Sequence, residues 1–160
     1  MLEGASVDVL DQAIQLAAAA HTGQLDRVGD LYILHPLRVM ESVSPDLDRM
    51  IVAVLHDVIE DTAIGGDDLS SIDIPDQIVA AVQLLTRPKC MAYWAYIERI
   101  CAARGDVGAV VRAVKLADIR DNLRADRMAR LPISDRLRLE GRYGDALAQV
   151  QYDMTAYGER

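Results

Sequence analysis

RMIVAVLHDVIEDT (residues 49–62) is an apolar run that ends in a burst of ionisable side chains. Residues 50–55 are all apolar, and His56, Asp57, Glu60 and Asp61 follow at once. On one continuous helix, positions i and i+4 stack, so His56 lies under Glu60 and Asp57 under Asp61. A cluster of this kind at the end of a buried helix is costly unless something pairs with it. A divalent cation is the natural partner, because it favours ionised carboxylates and neutral imidazoles together. A helix end that simply reaches solvent would explain His-Asp alone. It explains the longer pattern H-D-x-x-E-D-T poorly.

At 160 residues the chain is long enough to bury a proper core, and a single domain spanning residues 1–160 is expected. Hydrophobic residues make up 51%, yet there is no Phe and one Trp, so the core must be aliphatic. No window approaches 18 uninterrupted apolar residues, which excludes a membrane-spanning helix. The acidic start, MLEGASVDVLDQ, has no basic segment of the secretory kind, so a cytoplasmic protein is expected. Cys90 and Cys101 read as buried free thiols. The net charge of −8 argues against a nucleic-acid partner held through phosphates. A small anionic substrate would need a local metal and local basic residues. Homo-oligomerisation is left open.

Residues 6–22 read as an amphipathic helix, with Ser6 as N-cap and Gly23 as stop. His21 at its end reads as a structural or supporting residue. Residues 23–35 form a loop hinged at Gly23 and Gly29, with a weak hairpin signal. Pro36 suits the first turn of the next helix and leaves His35 near its N-cap. Pro45 then breaks the chain before the helix that carries His56. A short helix follows Gly65-Gly66, and residues 76–86 repeat the helical period. Tyr93, Trp94 and Tyr96 read as packing aromatics, and Asp106 as the cap of a helix that runs to about Leu123 and then frays. A last helix follows Pro132 with Ser134 as N-cap, ending near Tyr157. The expectation is an all-α domain.

RAVKLADIRDNL (residues 112–123) supplies the second half of the chemistry. At 100° per residue, Lys115, Asp118 and Asn122 fall within about 60° of one another, while Val111, Val114 and Ala117 form an adjoining apolar stripe. Alone, Lys115 and Asp118 would be an ordinary surface pair. Together, His35, His56, Asp57 and Asp118 make a mixed imidazole and carboxylate set suited to Mn, Fe or Zn with open positions. Such a metal activates a bound water, while a carboxylate takes the proton. There is no Gly-rich phosphate loop ending in Gly-Lys-Ser/Thr, so nucleotide synthesis is not expected.

The succession HTGQ, YILHP, HDVIEDT and KLADIRDN resembles the HD-type hydrolase domain of Rel/SpoT proteins, over roughly residues 15–124. The short length is similar to that of stand-alone small alarmone hydrolases. The resemblance implies an all-helical HD/phosphodiesterase-like fold and one Mn²⁺ held by His35, His56, Asp57 and Asp118, with Fe²⁺ or Zn²⁺ as the alternative metals. It implies that Glu60 and Asp61 orient and activate the attacking water. The implied reaction removes the 3′-pyrophosphate from guanosine tetra- or pentaphosphate or an adenine analogue. Arg27 and Lys115 would offset phosphate charge, and Asn122 would bind ribose or phosphate. A metal-dependent phosphatase acting on NADPH or a nucleoside monophosphate is the alternative, followed by a non-catalytic alarmone-binding or antitoxin-like module.

The sequence departs from the family where a basic pair usually follows the H-x-G-Q-x motif. Here the pair is Asp26-Arg27, and an acidic Asp26 cannot stack on a base as a guanidinium does, though it can accept hydrogen bonds from a base edge. The departure leaves the metal chemistry untouched and leaves the base preference open. Ala125 replaces the threonine often found three residues after the helix asparagine.

Overall fold

The computed structural model describes Leu2 and residues 4–157, and every regular element among them is a helix. They are α1 (Val7–Ala20), α2 (Leu34–Ser42), α3 (Leu47–Leu55), α4 (Val58–Asp61), α5 (Gly66–Ser71), α6 (Asp76–Leu85), α7 (Tyr93–Ala102), α8 (Gly105–Asn122), α9 (Ala125–Ala129) and α10 (Ile133–Ala156). The all-α expectation holds. The hairpin signal in the 23–35 loop survives as one isolated antiparallel bridge between Leu25 and Leu31.

Two helices make the centre. Ile51, Val52, Ala53, Val54 and Leu55 are all completely buried, so α3 is covered all round, as its unbroken apolar run demands. Its start is fixed by Asp46, whose side chain accepts from the Arg49 N–H at 3.1 Å. The second centre is α8, which packs against α2, α3, α6, α7 and α10. With no Phe, aliphatic side chains and Ala contacts fill the space between them.

The structure corrects several local expectations. The helix expected through residues 49–62 is two helices, α3 and α4, joined at His56 and Asp57. The Ala53 carbonyl accepts from His56 Nδ1 at 2.7 Å, which engages the oxygen that a continued helix would offer to the Asp57 N–H. The chain does not fray after Leu123 but forms α9. The last helix is capped by Pro132, with Ser134 inside its first turn, and Arg104, not Asp106, is the cap residue of α8. Cys90 lies outside the helices and is exposed; only Cys101 is buried.

Two measurements follow. Ile51→Ala removes fully buried volume and is expected to lower unfolding free energy by about 2–5 kcal/mol in denaturant titration. Burial, with Asp153 alongside, pushes the Cys101 thiol up to about 12. In a thiol-reagent assay Cys90 therefore reacts quickly and Cys101 only after unfolding.

Candidate active site

Three segments deliver the ionisable cluster: α2 brings His35, the α3–α4 junction brings His56 and Asp57, and α8 brings Asp118. One ligand atom from each of His35, His56 and Asp118 lies within 4.8 Å of the others, a spacing that could hold a metal ion. His35 Nε2 is 3.2 Å from Asp118 Oδ1 and 3.6 Å from Asp57 Oδ2. His56 Nε2 is 3.1 Å from Asp57 Oδ2 and 3.8 Å from Asp118 Oδ1.

The outer nitrogens of both rings are already committed. His35 Nδ1 meets Asp121 Oδ2 at 2.7 Å, and His56 Nδ1 meets the Ala53 carbonyl at 2.7 Å. Both partners accept, so each Nδ1 carries hydrogen and each Nε2 points its lone pair into the cluster when the ring is neutral. His56 Nε2 is buried with no hydrogen-bond partner. A buried ring nitrogen facing two carboxylates fits a cation, which would satisfy all three groups together.

Electrostatics tell the same story. Burial pushes both imidazoles toward neutrality, but the neighbouring carboxylates outweigh it and raise both pKa values. Burial works against the charge on Asp118 as well, yet Lys115 and the two imidazoles hold its carboxyl well below the usual range. Lys115 Nζ donates to Asp118 Oδ2 at 2.6 Å, and Asn122 Nδ2 donates to Asp118 Oδ1 at 2.6 Å. The shared helical face expected of Lys115, Asp118 and Asn122 is therefore real, and its two flanking residues orient the carboxylate between them.

The cluster forms one wall of a cavity of about 330 Å³. Glu60 and Asp61 stand at the same wall. Glu60 Oε2 accepts from the Arg87 N–H at 2.7 Å; burial raises its pKa, with Asp57 and Asp61 adding to the rise. The Tyr32 hydroxyl sits 2.6 Å from Asp57 Oδ2 and 2.8 Å from Asp61 Oδ2, tying the two carboxylates together. Arg27 is exposed at the cavity edge, and Asp26 lines it too. Asp26 Oδ1 accepts from the N–H groups of Val28 and Asp30, so one of its oxygens is occupied in shaping the loop. His21 stays outside the cavity: its Nδ1 meets Gln24 Oε1 at 2.9 Å, and Gln24 Nε2 donates to the Asp61 carbonyl. It is a supporting residue, as expected.

No family model matches the chain. Among curated proteins it is similar to a probable GTP pyrophosphokinase of Mycobacterium leprae, 28% identical over 136 residues, covering 83% of this chain and 16% of the relative. It is also similar to a guanosine-3′,5′-bis(diphosphate) 3′-pyrophosphohydrolase of Vibrio cholerae, 37% identical over 68 residues, covering 41% and 10%. A solved structure described as a metazoan ortholog of SpoT that hydrolyses ppGpp superposes with a TM-score of 0.64 at 21% identity, covering 97% of this chain and 98% of that one. Together these likenesses support a Rel/SpoT-type HD domain. It spans between a tenth and a sixth of the length of the two curated relatives described.

In this HD domain the residues named from sequence, Asp26, Arg27, His35, Asp57, Glu60, Asp61, Lys115, Asp118 and Asn122, all line the one cavity, with His56 directly behind them. Sequence reading missed Tyr32, Asp121, Arg127, Arg142 and Tyr143. Asp121 was within reach, because the wheel that groups Lys115, Asp118 and Asn122 puts it only about 60° from Asp118. Arg142 and Tyr143 carry no local signal; they reach the cavity because α10 folds back along α8. No helix of the HD domain is long and apolar enough, among the described residues, to cross a membrane.

Asp121 holds His35 while Arg38 grips both its oxygens, at 2.7 and 2.9 Å. Asp121→Ala is expected to weaken divalent-metal affinity about 10–100-fold, read by calorimetric titration, while the helical circular dichroism spectrum is unchanged.

Proposed function

We propose that the domain is a metal-dependent 3′-pyrophosphohydrolase acting on alarmone nucleotides of the ppGpp or ppApp type. One observation carries this reading: a buried cluster able to bind a cation opens onto a cavity that also holds two carboxylates and several guanidiniums. The Vibrio cholerae relative and the SpoT ortholog, both described as acting on such nucleotides, support it.

His35, His56, Asp57 and Asp118 would hold one divalent ion, with Mn²⁺ as the proposed metal; when bound, it supplies charge at the phosphoryl oxygen and acidifies water. The raised pKa of Glu60 suits a group that accepts the proton of the attacking water. Asp61, joined to Asp57 through the Tyr32 hydroxyl, orients that water. Lys115 stays charged beside Asp118 and, with Arg27, faces the negative phosphates; Asn122 fixes Asp118 and presents its remaining polar capacity to the sugar. The second oxygen of Asp26, which faces Arg127 at 3.6 Å, is the one that would accept from a base edge. The bond broken joins the 3′ oxygen to phosphorus: water's oxygen goes to phosphorus, pyrophosphate departs, and the nucleoside oxygen recovers a proton.

Mn²⁺-loaded protein incubated separately with ppGpp, ppApp and NADPH tests the reading. Pyrophosphate is expected from one or both alarmones; orthophosphate from NADPH with no pyrophosphate from either alarmone would replace the proposed reaction with phosphomonoester hydrolysis. Glu60→Gln and Asp61→Asn are expected to keep the metal and lose about 10²–10⁴-fold in turnover. Unchanged turnover would remove them from the chemistry.

A further inference from the structure

A second cavity, of about 430 Å³, lies on the far side of α8 and shares no lining residue with the first. Lys115, Asp118 and Asn122 face the metal cluster, while Ala113, Leu116, Ala117 and Arg120 point roughly 180° away around the helix. Arg38 from α2, Arg49 from α3, and Arg120 and Arg124 from α8 and its end converge there. In a chain of net charge −8, four guanidiniums at one cavity run against the overall field.

The lining offers one carboxylate, Asp121, and its oxygens are already taken by Arg38 and His35. Arg124 pairs with the exposed Asp126 and reaches Asp121 Oδ1 at 3.4 Å, while Arg49 pairs with the partly exposed Asp46. Exposed pairs are weak, so the Arg124 guanidinium can turn from Asp126 to a stronger anion. Arg120 is exposed and has no ion-pair partner among the described residues. Guanidinium forks match phosphate oxygens two at a time. The floor is apolar, built from Leu116, Ala117 and Met154, and suits the face of a nucleobase more than bare water.

We propose that this cavity is a second ligand site, separate from the hydrolytic one, that takes a nucleoside polyphosphate with its phosphates on the arginines and its base on the apolar floor. Nothing in it depends on turnover, so a failure of the hydrolase reading leaves it standing.

The test is calorimetric titration of ADP, GDP and pyrophosphate into protein stripped of metal. Wild type is expected to show a nucleoside diphosphate site that persists in Arg142→Ala, a change in the first cavity. Arg120→Glu is expected to weaken that site at least about tenfold, and the diphosphates to bind about tenfold more tightly than pyrophosphate. Thermal melts establish that Arg120→Glu folds; if it does not, Arg124→Gln takes its place with the same expected loss. Binding that vanishes in Arg142→Ala, or that ignores both changes in the second cavity, overturns the site. Equal affinity for pyrophosphate and the diphosphates overturns the base-binding floor.

Discussion

Everything in this molecule is arranged around the cost of burying two imidazoles and three carboxylates within a few ångströms. Taken singly, each of His35, His56, Asp118 and Asp121 would be expensive so far from water. Together they are tolerable, because each Nδ1 hydrogen has an acceptor and each carboxylate has donors. Lys115 belongs to this balance: removing its charge would leave Asp118 buried with one donor fewer, a loss much larger than that of a surface pair. What the balance leaves over is the unpartnered Nε2 of His56 and the carboxylate oxygens around it, directed at one point.

The fold supplies the rigidity such a cluster needs. Helix α3 is sealed in the core up to Leu55, so the next two residues, His56 and Asp57, emerge from a fixed stem. Helix α8 presents its carboxylate from the middle of the molecule, with neighbours on nearly every side. The loop bearing Asp26, Arg27 and Tyr32 has less packing, and α9 restrains it: Arg130 grips Asp30 and the Val28 carbonyl, and Arg127 approaches Asp26 at 3.6 Å. The division is physically sensible, with the ionic cluster on packed helices and the outer wall of the cavity on a loop held by surface ion pairs.

Much of this was legible in the residues. The apolar run before His56 announced a buried stem, and the 3.6-residue period put Lys115, Asp118 and Asn122 on one face. The break at His56 was not legible, because it depends on a side chain bonding the Ala53 carbonyl, which hydrophobic periodicity does not register. Helix α9 was missed because five residues with one arginine and one aspartate have no periodic signature; it is held by tertiary contacts at its end such as Arg130 to Asp30. Arg142 and Tyr143 were invisible for a related reason: their place in the cavity comes from how α10 crosses α8. Asp26 was identified as the family's departure, but its role in shaping its own loop appears only once Val28 and Asp30 are seen to donate to it.

The most direct measurement is a calorimetric titration of Mn²⁺ into metal-stripped protein, wild type beside His56→Ala, with circular dichroism on both. One Mn²⁺ per chain in wild type, and none in a variant that remains helical, is the predicted result. No binding by the wild type, or undiminished binding by His56→Ala, would contradict the assignment of the buried cluster as a cation site.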